Sequence, residues 1–412
     1  MKNTILGCAV TAALLNVGAA SAGGLWLNEY GDFSGGRASA GSEAGMDDAA
    51  SIMHNPASSS RIKGNQLFAS GGALIPDVKF DVEYTSPRLG TGNGGDAGET
   101  APVGSAAYVH DFQSDRWSGG VYFLGLAGAG LDYDNDWAGR YQATKVDLLL
   151  AAIVPNFAYR VSDRLSLGLA VQYWYSNLNV HLNVPRLVAD REDARASING
   201  DDSGFSFKLG SMYELTDRTR FGLIYQSEIK PEYDGDFKIV APGGGMVLPG
   251  TGQQVSVRSE LNFAEYVRFA MHHALDEKWA VNLTVGWDNW SQLGDVPLAT
   301  ENRGAAIPTK WRDTYHYAWG VEYQLDQRWA LTSGVAYDTN PVDKEDRNAQ
   351  LPVDRQVRYA FGARYALSDT LHVGGYINYA DLGKSRIAAR NFGGEYQNNG
   401  ALGLSANVNW TF

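Results

Sequence analysis

Residues 311–325, WRDTYHYAWGVEYQL, alternate with a period of two. Trp311, Tyr315, Tyr317, Trp319, Val321, Tyr323 and Leu325 fall on one face, interrupted by Asp313 near one end. Arg312, Thr314, His316, Ala318, Gly320, Glu322 and Gln324 fall on the other. That period belongs to a β-strand with two unlike surroundings. Residues 279–287 and 357–367 repeat it, the latter with Arg358 and Arg364 on its polar face. An arginine on a lipid-facing surface would cost about 2–4 kcal/mol at mid-bilayer. If these strands cross a membrane, the face with Arg312, Arg358 and Arg364 is the inside of a barrel.

The rest of the chain fits that class. Residues 1–22 have the form of a secretory leader: Lys2, an apolar run to about Val17, then Ala20-Ser21-Ala22 before the expected cleavage point. Beyond it no run of 18 apolar residues occurs, which excludes helical membrane spans. Cys8 is the single cysteine and belongs to the leader. It comes before the apolar region has been built up, so lipidation is not expected, and the mature chain has no thiol for a disulfide or a metal. Losing Lys2 takes the formal charge from -12 to -13, which argues against a nucleic-acid partner. The 48 glycines, 22 tyrosines and 11 tryptophans suit a barrel whose strands alternate lipid-facing and lumen-facing residues.

Short turns punctuate the sequence at 109–117, 159–167, 213–221, 273–281, 323–331 and 365–373, each with Asp, Ser or Thr between two alternating runs. Aromatic residues flank them, as in an interfacial girdle: Tyr159, Tyr213, Tyr323 and Tyr365 before, Trp117, Trp279 and Trp329 after. Between the turns lie longer polar loops rich in Gly, Pro or Asp. Six tight turns and seven long loops join fourteen strands, with both ends on the tight-turn side. The expectation is an all-β, 14-stranded antiparallel transmembrane barrel over residues 63–412, in a Gram-negative outer membrane. The last run, GLSANVNWTF, alternates without a break to Phe412, which resembles the signal read by the barrel-assembly machinery.

Residues 23–62 show no strand pattern and are rich in Gly, Ala and Ser. A barrel this wide needs a plug if it is not to leak. Asp47 and Asp48 precede Ala49–Met53, which predicts a short helix with acidic residues in its first turn, ended by Pro56. The stretch LWLNEYGDFSGGRASAGSEAGMDDAASIMHNPAS resembles the N-terminal hatch of the FadL/TodX family of outer-membrane fatty-acid and hydrocarbon transporters. Asp47, Asp48, Asn55, Pro56 and Ala57 carry the match, and Trp137, Gly139, Arg140 and Tyr141 in DWAGRYQA resemble a second family segment. The resemblance implies capture of a hydrophobic ligand by outer loops, here about 181–203 and 234–253. A pocket above the hatch, hatch rearrangement, and a sideways exit near a kink in the third strand follow. Gly125, Gly128 and Gly130 in GLAGAG are the kink candidates, because glycine weakens a strand.

A carboxylate ligand would call for lumen cations. The candidates by phase are Lys208, Arg258, Arg268, Arg312, Arg358 and Arg364, with His316 beside Arg312, although Glu214, Glu260 and Glu322 share those strands. DYDNDWAGR at 132–140 begins like a Ca²⁺ loop, but Trp137 stands where glycine is needed and Ala143 where the bidentate glutamate should be. GKS at 383–385 lacks the leading glycine of a phosphate loop. The histidines are scattered, and no serine sits in a nucleophile elbow, so no enzyme, cofactor or metal is expected. His54 reads as incidental. The expectation is a monomeric passive channel for long-chain fatty acids, or for aromatic or alkane hydrocarbons, embedded in outer-membrane lipid. A porin for polar solutes, or an adhesin built on the loops, is the alternative.

Overall fold

A computed structural model describes residues 25–87, 89–184, 193–240, 254–293, 295–300 and 303–412; the expected leader lies outside them. Fourteen antiparallel strands close into a barrel. The first six are β1 (Gln66–Thr85), β2 (Ala101–His110), β3 (Trp117–Asp132), β4 (Lys145–Arg160), β5 (Leu165–Val184) and β6 (Ala194–Thr216). The next four are each built of two pieces: β7 (Thr219–Gln226, Glu232–Val240), β8 (Gln254–Glu260, Tyr266–Ala274), β9 (Trp279–Asp288, Asp295–Thr300) and β10 (Arg303–Pro308, Thr314–Gln324). Then come β11 (Trp329–Asp338), β12 (Gln356–Ala366), β13 (Leu371–Asp381) and β14 (Phe392–Thr411), with the short piece Ile387–Ala388 against β14. Closure is by β1 on β14, from Gln66↔Thr411 to Thr85↔Phe392.

The tight turns share one device. In each, a side-chain oxygen accepts from the backbone N–H groups two and three residues on. Ser114, Ser162, Thr216, Asp276, Asp326 and Ser368 do this, at 2.7 and 2.8 Å for Asp276. A local side-chain bond replaces the missing ladder bond and reverses the chain in few residues. These six turns are the six read from the sequence.

Alternation sets the faces. Phe205, Phe207, Leu283, Trp319 and Phe361 are exposed on the outer wall, while Lys208, Arg268, His316 and Arg358 are buried inside. The rule fails at two expected lumen cations. β10 is broken before Thr314, where Lys310 has a φ of 47°. Trp311 therefore turns inward against Trp290, and Arg312 turns out to solvent, bonded to Asp343 at 2.9 Å. Arg258 lies in the outer piece of β8, exposed and paired with Asp234 at 3.0 Å.

Residues 25–62 pack inside. Three 3₁₀ helices, Phe33–Arg37, Ser42–Ala44 and Pro56–Arg61, and one α-turn, α1 (Ser51–His54), lie against the walls of β3–β13. The expected helix is shorter than its sequence implied: Asp47 and Asp48 precede it rather than forming its first turn, and the Asp48 carbonyl accepts from Ser51 Oγ at 2.8 Å. The walls admit the segment because glycines face it. A Cβ on Gly222 would overlap the Glu43 carbonyl oxygen, and one on Gly168 would overlap the Pro56–Ala57 peptide. The backbone thus touches the wall directly.

Gly222→Val should leave the barrel intact but unseat this segment by about 1–3 kcal/mol of overpacking. The expected result is a normal heat-modifiable band, faster proteolysis near residues 43–47, and raised ion conductance in planar bilayers. Wild-type conductance would show that the contact does not hold the segment.

Candidate functional site

The segment is held by a set of short polar contacts. Pro56 keeps Asn55 extended (φ -139°, ψ 118°), and Asn55 Oδ1 accepts from the Ala57 N–H at 2.9 Å, capping the 3₁₀ helix that Pro56 opens. Asn55 Nδ2 donates to the Glu43 carbonyl at 2.6 Å and to the Ser211 carbonyl on β6 at 3.0 Å. Asn156 on β4 donates to the Pro56 carbonyl at 2.9 Å. One Asn-Pro-Ala step thereby ties the segment to itself and to two strands. His54 is not incidental. Its Nε2 lies 3.0 Å from Asp32 Oδ1, and Ser34 Oγ donates to Asp32 Oδ2 at 2.5 Å. Burial alone would raise the Asp32 carboxyl; the His54 charge and the bonds from His54 and Ser34 pull it down to about 2.

Its neighbours differ. Asp47 is exposed and pairs with Arg61 at 3.0 Å, which reaches Glu214 at 2.6 Å. Arg37 pairs with Glu322. Asp48 is buried; its Oδ1 has no hydrogen-bond partner, and Arg364, stacked over Phe33, is 3.9 Å from Oδ2. Burial pushes the Asp48 carboxyl up to about 6, and Asp32 and Asp47 add to that against Arg364.

Against the segment lies an apolar chamber filled by side chains. Leu124 and Leu126 from β3, Leu148 and Leu150 from β4, Trp174 from β5 and Ile224 from β7 pack there with Met46, Ile52 and Met53 of the segment. Trp26 fills its centre, with ring contacts to Phe263 and Tyr266 at 5.6 Å and to Trp290 at 6.4 Å, and its Nε1 donates to the Ala264 carbonyl at 3.0 Å. The floor is polar. Arg268 pairs with Asp288 at 2.8 Å, His316 with Asp338 at 2.7 Å, and Arg358 with Glu29 and Asp338 at 3.0 Å. Lys208 Nζ donates to the Met53 carbonyl at 2.9 Å. Of the expected lumen cations, Lys208, Arg268, His316 and Arg358 therefore gather at this floor. Arg364 meets the segment through Asp48, and Arg258 and Arg312 lie elsewhere. Trp26, Glu29, Asp288 and Asp338 went unread in the sequence. Asp288 and Asp338 were legible as carboxylates at the inward phase, each one step past an apolar alternation.

The wall has one discontinuity beside the chamber. β2 pairs with β3 from His110↔Gly119 only to Ser105↔Leu124, and the β3–β4 register slips between Gly125 and Ala127. Past that point Trp26 bridges Ala127, and the Leu27 N–H donates to the Leu126 carbonyl at 2.9 Å, so the N-terminal segment occupies the free edge of β3. A cavity opens between β1, β2, β3 and the segment, bordered by Leu27, Val103, Gly104 and Gly125. Among the three glycines expected to kink β3, Gly125 flanks the slip; Gly128 and Gly130 pair with Leu149 and Asp147 of β4 in regular register.

Residues 136–143 fold over the outer end. Trp137 is buried, stacked on Tyr133 at 4.2 Å, and its ring covers Gly139. Arg140 bonds to Asp193 at 2.8 Å and to the Leu89 carbonyl at 2.5 Å, and Tyr141 OH donates to Asp193 at 3.0 Å. The segment thus joins three outer loops. Of the expected capture loops, 181–203 and 234–253, residues 185–192 and 241–253 lie outside the described residues, while 181–184, 194–203 and 234–240 continue β5, β6 and β7 as strand, so the loops are shorter than expected.

The profile described as "Outer membrane protein transport protein (OMPP1/FadL/TodX)" matches residues 13–412. The chain belongs to the FadL/TodX family. It is 28% identical to the "Long-chain fatty acid transport protein" of Escherichia coli O6:H1, over 88% of this chain and 87% of the relative. It is 25% identical to "Outer membrane protein P1" of Haemophilus influenzae, over 92% and 89%. Its fold matches a Pseudomonas aeruginosa FadL homologue (TM-score 0.87, 20% identity, 94% of this chain and 100% of that one). It also matches the P. putida toluene transporter TodX (TM-score 0.75, 17% identity, 94% and 99%). This FadL/TodX-family protein is an outer-membrane barrel of a family of transport proteins.

Two outcomes follow. Asn55→Ala removes the cap and strands two carbonyls, a loss of about 1–3 kcal/mol in seating. Uptake and ion conductance should both change, and wild-type values for both would show the motif to be dispensable. For Asp48, a folded-state value of about 6 against an ordinary 3.8 means the packed segment favours the neutral form. That contribution is full below about pH 4 and lost as pH rises through about 6, up to about 3 kcal/mol. Amide exchange of residues 45–60, corrected for intrinsic rates, should be slower at pH 5 than at pH 7.5. Asp48→Asn should reduce that difference, and an unchanged pH profile would contradict the assignment.

Proposed function

We propose that this FadL/TodX-family protein is a passive channel for long-chain fatty acids or similar hydrophobic compounds. Outer loops capture the ligand, which enters the chamber above residues 25–62. The segment, acting as a hatch, then rearranges, and the ligand leaves sideways through the wall between β2 and β3, beside Gly125. The observation that carries this reading is the lining. Leu148, Leu150, Ala152 and Val154 make the inward face of β4 apolar where a pore for polar solutes would line it with polar groups. The outward residues Leu149, Ala151 and Ile153 make the same strand apolar on its other side.

The broken β2–β3 ladder supports the lateral route. Backbone groups facing lipid must be paired. Leu27 and Trp26 cover the β3 edge in the closed form, so their withdrawal would leave an edge that a ligand can pass. A second reading, uptake of aromatic hydrocarbons, is favoured by the aromatic surround of Trp26, since Phe263, Tyr266 and Trp290 would receive a ring equally well. Relatives with both kinds of cargo in their names exist in the family.

Filling the discontinuity tests the exit. Gly104→Trp together with Gly125→Trp should leave a folded, heat-modifiable barrel and reduce uptake of a labelled fatty acid by about tenfold or more, the loss expected when a required passage is blocked. Undiminished uptake would remove the lateral route.

A further inference from the structure

The six tight turns share a second pattern, on their side chains. Each incoming strand ends on an exposed apolar residue: Phe112, Val161, Leu215, Leu275, Leu325 and Leu367, all 43–53% exposed. Four of them follow a girdle tyrosine by two residues, so the lipid-facing surface runs down to the turn itself. Five of the turns then place an exposed cation just before the outgoing strand: Arg116, Arg164, Arg218, Lys278 and Arg328. The carbonyl of each cation accepts from a backbone N–H beside the neighbouring turn, as from Arg160 to Arg116 at 2.8 Å and from Ala366 to Arg328 at 2.9 Å. Each turn is bonded to the next in this way, which holds the cations at one level around the rim.

None of these five cations is ion-paired among the described residues. Exposed cations at the outer end of the barrel behave differently: Lys79 pairs with Asp77, Arg312 with Asp343, Arg355 with Asp381 and Lys384 with Glu395. At the rim, Asp276 and Asp326 turn to backbone N–H groups of their own turns instead. Two guanidiniums lean over the girdle. Arg116 Nη1 donates to Tyr159 OH at 2.9 Å, and Arg328 Nη1 to Tyr365 OH at 3.1 Å. Each tyrosine is the cross-strand partner of a tryptophan, Trp117 or Trp329, with ring centroids 4.7 Å apart in both pairs. The same Arg–Tyr–Trp site is therefore built twice, on β3–β4 and on β11–β12. A guanidinium has five N–H donors, and the tyrosine takes one of them.

We propose that Arg116 with Tyr159, and Arg328 with Tyr365, are two binding sites for the phosphate of an anionic phospholipid in the periplasmic leaflet. Tight turns of such barrels lie on the periplasmic side. There an exposed apolar residue, Val161 or Leu367, meets the acyl region while the guanidinium beside it stands at the level of the head groups. Its free donors fit two phosphate oxygens side by side, and the tyrosine holds the fork in place. The indole ring packs at the interface, where its apolar body suits the glycerol and upper chain. Lys278 stands beside Trp279 and Tyr323 in the same arrangement without the bond to tyrosine, and a lysine gives a point charge rather than a fork, so it makes a weaker third position. The proposal does not depend on which cargo crosses the barrel.

The test titrates the full protein in detergent micelles with dioleoyl phosphatidylglycerol or dioleoyl phosphatidylcholine, counting bound lipids by native mass spectrometry. The two lipids share their chains and differ in net charge. The wild type should hold two phosphatidylglycerols, each about fivefold or more tighter than phosphatidylcholine, the preference expected of a cation at an anionic surface. Arg116→Gln and Arg328→Gln should each remove one of them, and the double variant both. Arg164→Gln, at a turn without the tyrosine bond, should keep two. Heat-modifiability reports folding, and the single variants carry the test if the double variant does not fold. Inorganic phosphate at the same concentration should leave the lipids bound. Unchanged binding in the arginine variants, or equal binding of the two lipids by the wild type, overturns the sites. Displacement by inorganic phosphate makes them free-anion sites and overturns the lipid assignment.

Discussion

Direct contact between the backbone of residues 25–62 and the inward glycines of the barrel is the constraint on which the other features depend. A side chain at Gly222 or Gly168 would hold the segment off the wall and leave a polar gap down the lumen. With glycine there, carbonyls and amides of the segment come within bonding distance of wall side chains such as Asn156 and Arg220. The lumen is then filled, and a molecule entering from outside meets a floor rather than a pore. In the proposed route, that floor is what sends cargo out through the side.

Electrostatics follow from the same packing. Charges carried inward cannot be left bare in a dry lumen, so they appear as pairs: Arg37 with Glu322, Arg268 with Asp288, Arg358 with Glu29 and Asp338. Several join the N-terminal segment to the wall, so they hold the segment in place as well as satisfying one another. Asp48, on the segment itself, keeps one buried oxygen without a hydrogen-bond partner.

The barrel was legible because strands and turns are local. Alternation in 311–325 and 357–367 carried the faces, and an Asp, Ser or Thr at each tight turn carried the strand count. Position was less legible than type. Arg312 and Arg258 have the composition of lumen residues, but a backbone break at Lys310 and the projection of β8 beyond the wall put them in solvent. The Asn-Pro-Ala step was visible as a motif, whereas its partners Glu43 and Ser211 come from 12 and 156 residues away. The His54–Asp32 pair, 22 residues apart in an irregular stretch, has no periodicity to announce it. Trp26 as the centre of the chamber is likewise a product of long-range packing, with Ala264 as its acceptor 238 residues on.

The central claim is that the N-terminal segment must leave the β3 edge for cargo to pass. A tether tests it most directly. Trp26 and Ala127 are cross-strand partners, and such positions have Cβ atoms about 4.5–5.5 Å apart, within the range a disulfide closes with slight backbone adjustment. With Trp26→Cys and Ala127→Cys in one chain, fatty-acid uptake should fall to background when the pair is oxidised and return on reduction, with each single variant insensitive to redox state. Full uptake by the oxidised, cross-linked barrel would contradict the account.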